Sequence, residues 1–184
     1  MISQLARLFR ISLSKGHTII SIKDELQHAQ SYMNIQKVRY KNKFQISFDI
    51  APDILDCCIV KLILQPIVEN SFIHGIKPMD GPGHIQLMAE RLGNTVTLTV
   101  MDNGVGMDED ALNKLYTLLD SDQPGHKENY EWASIGLKNV HDRLRYLYGS
   151  DYGITLYSTP GVGTVVKATI PADLQNLAQE EPLC

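Results

Sequence analysis

Asn70, in the segment IVENSFIH (67–74), carries a carboxamide whose oxygen can ligate a hard cation such as Mg²⁺ without adding negative charge beside phosphate groups. His74 follows one helical turn later on the same face. Asp102 opens DNGVG (102–106) directly after an alternating apolar run, so its carboxylate can accept an N–H from a heterocyclic base. Gly104 and Gly106 let the backbone turn tightly and approach a ligand there. PGVGT (160–164) adds Gly161, Gly163 and the hydroxyl of Thr164, which can join the same polar contact. Singly, each is ordinary: Asp-Asn-Gly and Pro-Gly are turn formers, Asn70 can satisfy a buried backbone group, and His74 can close a helix. Taken in this order, with a polar loop before the third, the segments describe one nucleotide pocket.

The elements that must hold these residues are read from apolar periodicity. Ile2, Leu5, Ala6, Phe9 and Leu13 mark a short helix, and Ser21 with Asp24 caps a longer one whose stripe runs Ile22, Leu26, Ala29, Met33, Gln36, Tyr40. Phe44, Ile46, Phe48 and Ile50 alternate as a half-buried strand. The apolar stretch 59–76 predicts a helix with Pro66 in an early turn or at a kink, carrying Asn70. Ile85, Leu87, Ala89 and Val96, Leu98, Val100 predict a hairpin turning at Gly93-Asn94 and delivering Asp102 at its end. Asp108 caps a helix through Leu119, the aperiodic stretch 120–133 is a loop, and Leu137, Val140, Leu144 and Leu147 begin a helix closed by Gly149. Strands 153–158 and 164–170 follow. The sum is a two-layer α/β sandwich: one mixed, mostly antiparallel sheet with helices on one face. Residues 1–40 form a helical dimerisation or linker remnant, 41–171 the nucleotide domain and 172–184 a polar tail.

Composition removes several classes of function. The 184 residues are 43% hydrophobic and 21% charged, enough for one domain and an appendage. A net charge of −4 offers no basic footprint for nucleic acid. No apolar run reaches the ~20 residues that span a bilayer. Six scattered histidines and the adjacent Cys57 and Cys58 lack transition-metal ligand spacing.

The ordered set resembles the GHKL ATPases, the superfamily of DNA gyrase, an ATP-driven heat-shock chaperone, histidine kinases and MutL. Glu69 to His74 is similar to the N-box, 102–106 to the first glycine box, Ser134-Ile135-Gly136-Leu137 to the second and 160–164 to the last. LQPIVENSFIHGI, ELQHAQSYMNIQKVRY and GLKNVHDRLRYLYG resemble LytS/YesM-type bacterial sensor histidine kinases within it. That resemblance implies the Bergerat-type fold, ATP and Mg²⁺. It implies that Asp102 binds the adenine amino group, Thr164 assists through water and Asn70 holds Mg²⁺. Residues 107–135 would be the ATP lid, with Gly136 and the start of the next helix facing phosphate and Lys138 adding charge.

The chain also departs from the family pattern. Pro66 stands where many relatives carry an acid or amide, which leaves Glu69 as the candidate base. Ile73 replaces a basic residue, for which His74 or Lys77 compensates, and Ser134 replaces a glycine. The resemblance further implies a phosphoacceptor histidine on an upstream segment outside this chain, relay to a response regulator, a homodimer through the N-terminal helices, and a cytoplasmic domain of a membrane-bound sensor. A non-catalytic ATP-sensing module is the alternative, and a MutL-like or chaperone-like clamp a more distant one.

Overall fold

A computed structural model describes residues 18–41, 43–121 and 132–172. The expected helix over 2–13, most of the expected loop 120–133 and the tail beyond 172 lie outside them. Strand β1 (Ile19–Ser21) leads into helix α1 (Ile22–Arg39), followed by β2 (Phe44–Ile50), a 3-10 turn (Pro52–Ile54), β3 (Cys58–Val60) and α2 (Leu64–Asn70). The chain then winds one π-helical segment (Ser71–Ile76) before β4 (Gly83–Leu92), β5 (Thr95–Asp102), α3 (Glu109–Asp120), α4 (Trp132–Tyr148), β6 (Gly153–Thr159) and β7 (Gly163–Pro171).

Five strands form one sheet in the order β2-β4-β5-β7-β6, with β2 parallel to β4 and every other pair antiparallel. This is the expected mixed two-layer sandwich. Alternation decides its buried face. Leu87, Val100, Val166 and Leu156 pair in sequence across four strands and are at most 2% exposed. Ala89, Leu98, Ala168 and Ile154 repeat the pattern, with leucine and isoleucine each contributing up to about 1.5–3 kcal/mol of burial. Helices α1, α2 and α4 pack together over this face. The β4–β5 turn falls at Gly93 and Asn94 as the sequence indicates, with Gly93 left-handed at φ 61°.

Helix α1 is capped by the Ser21 side chain, which accepts the Asp24 N–H at 3.1 Å. Its stripe, Ile22, Leu26, Ala29 and Met33, is buried in the same core as the sheet. Those residues therefore cover their own domain rather than a partner helix.

Two local expectations are corrected. The stretch expected as helix from residue 59 begins instead as β3, which pairs antiparallel with β1 through Ile20 opposite Ile59, and helix starts only at Leu64. A run that is apolar on every side carries no period to separate a short buried strand from a helix. Pro66 falls in the first turn of α2, where its missing N–H costs little. The helix of 137–147 begins earlier, at Trp132, so residues 134–138 lie inside its first two turns rather than ahead of them.

Candidate functional site

Asp102 is the last residue of β5, opposite Thr164 of β7 and Ile85 of β4. It is 5% exposed. The Gly104 N–H donates to its Oδ1 at 2.9 Å, and the Ser71 hydroxyl and Thr164 amide also reach the carboxyl. Burial outweighs these bonds and holds the Asp102 carboxyl above the usual carboxylate range. A carboxylate so placed gains by accepting another N–H.

The glycines fit backbone against backbone around it. Gly104 packs on the Gly75 main chain so closely that a Cβ would collide, and the Val105 N–H donates to Gly75 O at 3.0 Å. The Gly161 N–H donates to Val105 O at 2.7 Å, tying the last glycine turn to the first. Gly163 passes against the Asp102 carbonyl at φ 134°, a conformation and an approach that both require glycine. The Thr164 Oγ1 lies 2.9 Å from Ser158 Oγ, which accepts the Met107 N–H at 2.8 Å. The start of the expected lid is thus fixed to the sheet. Tyr116 of α3 adds to this by donating its hydroxyl to Leu156 O.

Between the π segment, the end of β5, α3 and the start of α4 opens a cleft of about 640 Å³. Its size suits a small organic ligand. Asn70, His74, Asp102, Gly106, Ser134, Leu137 and Thr164, all expected from the sequence, line it. Leu115, Leu156 and Val166 give it an apolar side suited to a flat heterocycle, while Lys114 of α3 is a cation the sequence reading passed over. Ser71 and Gly75 were also unforeseen. A lone glycine within an apolar helical run was the available signal for Gly75.

Other expected residues lie elsewhere. Gly104, Gly161 and Gly163 build the wall without lining the cleft, and Ile135 is not among the lining residues. Gly136 has no positive φ, and a Cβ there would meet only Pro66 at 3.8 Å, so it is a packing contact between α4 and α2. Lys138 donates to Ser121 O at 2.7 Å and Asp142 Oδ1 at 2.6 Å with its side chain 7% exposed, joining α4 to the end of α3. Glu69 accepts from Gln65 Nε2 at 2.7 Å and lies outside the cleft lining, on the side of Tyr32 in α1.

A two-layer sandwich with an apolar cleft, a buried carboxylate at a strand end and glycine turns packed around it is the architecture of a nucleotide-binding domain. The family profile of histidine kinase-, DNA gyrase B- and HSP90-like ATPases matches residues 59–174, and a histidine kinase profile matches residues 1–44. The chain belongs to this ATPase family, and residues 59–174 are its ATP-binding domain.

The sensor histidine kinase YpdA of Escherichia coli is 32% identical over all of this chain and 30% of its own length. YesM of Bacillus subtilis is 31% identical over 93% of the chain and 27% of its length. The chain thus spans under a third of these relatives. In fold it is similar to the histidine kinase domain of the Erythrobacter litoralis EL346 blue-light activated kinase, with a TM-score of 0.59 at 17% identity, covering 98% of this chain and 77% of that one.

Proposed function

We propose that the cleft binds ATP as its Mg²⁺ complex for transfer of the γ-phosphoryl group to a histidine on an upstream segment of the intact protein. The observation that carries this reading is that Asn70 and Asp102 line one cleft, the first suited to ligate a cation and the second to read a base. Asp102 accepts the adenine amino N–H, and Thr164 supports it through water. The Asn70 carboxamide supplies one Mg²⁺ ligand, and the triphosphate and water supply the rest. A site of this kind needs no acidic cage, and among the described residues no group of three or more His, Cys, Asp or Glu is placed to hold a metal.

Phosphoryl transfer asks a protein mainly for positioning and charge neutralisation. In the step itself an imidazole nitrogen of the acceptor bonds to Pγ, the bond from Pγ to the bridging oxygen breaks, and ADP leaves with the electron pair. The phosphohistidine then passes its group to a response-regulator aspartate. His74 and Lys114 border the cleft as the groups nearest to a cationic role toward phosphate. Glu69 is given no proton to carry, because its carboxylate is engaged outside the cleft.

The apolar positions of the sequence between residues 2 and 13 are the contact we assign to a homodimer of the intact protein, a membrane-bound sensor with this domain on its cytoplasmic side. Among the described residues no helix is long and apolar enough to cross a membrane.

A non-catalytic ATP-sensing module is the second reading. The diversion of Glu69 and Lys138 from the cleft favours it. Incubating the intact protein, upstream segment included, with γ-labelled ATP separates the two. Acid-labile, alkali-stable label on histidine is the expected result, and bound ATP with no label on histidine overturns the kinase reading.

A further inference from the structure

Glu25 lies in the first turn of α1, outside the cleft, and is 1% exposed. Its oxygens accept three successive backbone N–H groups: Leu62 on Oε2 at 2.9 Å, and Ile63 and Leu64 on Oε1 at 2.7 and 2.8 Å. These donors begin α2. The helix has no cap of its own, since Ile63 occupies the N-cap position without a side-chain hydrogen bond. Leu62 stands at φ 64°, in the left-handed region that leucine rarely adopts, so the loop keeps a conformation that its surroundings must impose.

Helix α4 grips the same loop from another side. Arg143 Nη1 donates to Lys61 O at 2.7 Å, and the Tyr148 hydroxyl accepts the Val60 N–H at 3.0 Å. The Arg143 charge also opposes the upward pull of burial on the Glu25 carboxyl.

We propose that Glu25 is a positioning residue for Asn70: by capping α2 from 38 residues upstream it fixes the helix whose other end presents Asn70 to the cleft. At 1.5 Å per residue, the seven residues of α2 place Asn70 about 9 Å from the capped end, too short a span to absorb a shift. Asp102 is mounted separately, by the register of β5 between β4 and β7. A displacement at the start of α2 is therefore felt first at Asn70 and reaches Asp102 only through the Ser71 and Gly75 contacts of the π segment. Only the ligand readout below rests on the nucleotide reading.

The test compares the full chain with its Glu25→Gln variant, which keeps the shape but sets an amide N–H₂ against the row of donors. Tyr148→Phe serves as a control that loosens the same loop without touching the cap. Without nucleotide, Glu25→Gln is expected to speed amide exchange at Leu62, Ile63 and Leu64 and to shift the amide signals of residues 70–75, with those of the β4–β5 pair away from Asp102, residues 87–100, unchanged. With ATP, the gain in affinity on adding Mg²⁺ falls about tenfold, as for removal of an outer-shell partner of a metal ligand, while Mg²⁺-free affinity falls by much less. Tyr148→Phe changes neither.

Unmoved signals at 70–75, or a loss equal with and without Mg²⁺, overturns the proposal. If the wild-type chain binds no nucleotide in either condition, the nucleotide reading fails by itself and the ligand-free amide signals decide the role of Glu25. Should Glu25→Gln not fold, Glu25→Asp, which keeps the charge and shortens its reach, is judged by the same readouts.

Discussion

At Asp102 the protein holds a carboxylate in surroundings that raise its pKa, and offers it fixed donors from Gly104, Ser71 and Thr164. Desolvation without full compensation makes the group avid for one more donor, and in the proposed complex an exocyclic amino group supplies that. Gly75 is what lets the π segment come this close. A Cβ there would stand 2.7 Å from Asp102 Oδ1 and 3.0 Å from its Cγ. Gly75→Ala must push the carboxylate aside or tilt the π turn, and either misaligns the bond to the base. The expected result is a loss of ATP affinity of about tenfold or more, equivalent to about 1.4 kcal/mol, in a chain whose circular dichroism is unchanged. Titration of the variant with ATP checks it. Such a role is invisible in sequence, because a glycine in a helical run looks only like a weak point until its neighbour across space is known.

Among the elements, α4 is the joint between α3, cleft and sheet. Lys138 ties it to the end of α3, Arg143 and Tyr148 tie it to the loop before α2, and His141 ties it to β6 by accepting the Ile154 N–H on Nδ1 at 3.0 Å. That acceptor role fixes the proton of the neutral ring on Nε2, which is buried without a partner. Burial, followed by the Arg145 charge, lowers the pKa of His141 in the folded chain, with Lys138 adding to the effect and Asp142 opposing it.

The sign follows from linkage. The unfolded chain binds the proton more readily, so the contribution of His141 to stability is complete above its ordinary value near 6.5 and is lost as pH falls through that value toward the lowered folded one. The buried carboxyls of Glu25 and Asp102, raised in the fold, pull the other way. Comparison with a variant isolates the histidine. His141→Asn keeps an acceptor for Ile154 and does not titrate. It is expected to cost about 1–2 kcal/mol at pH 7.5 through lost packing, and to show a flatter fall in stability than the wild type between pH 7 and 5 in urea unfolding. An equal fall in both proteins contradicts this role.

Long elements with one buried face were legible in the sequence. The hairpin ending at Asp102, the Ser21 and Asp108 caps and the strand that carries Thr164 all follow from period and capping chemistry. Two three-residue strands, β1 and β3, were not, because three residues carry no alternation and their pairing joins chain 37 to 41 residues apart. The π winding after Asn70 likewise has no local signature. Within the site, residues held by local turn geometry were placed, while those decided by long-range partners were not. Lys138 and Glu69 had the right chemistry at the right spacing, but their side chains are committed elsewhere.

Taken as a whole, the molecule mounts Asp102 on its sheet and Asn70 on a short helix, the base reader and cation ligand of the proposed site, and joins both through glycine turns to α3 and α4. Its overall charge of −4 gives the cleft no general attraction for polyanions, so recognition rests on these placed groups. Asp102 bears that claim most directly. Calorimetric titration of Mg²⁺-ATP and Mg²⁺-GTP into the wild-type chain and its Asp102→Ala variant tests it. Micromolar ATP binding, worth about 8 kcal/mol, with GTP much weaker and about 1.5–3 kcal/mol lost in the variant, is the result expected. Equal binding of the two nucleotides, or ATP affinity untouched by the loss of the carboxylate, would contradict the reading of this cleft as an adenine site.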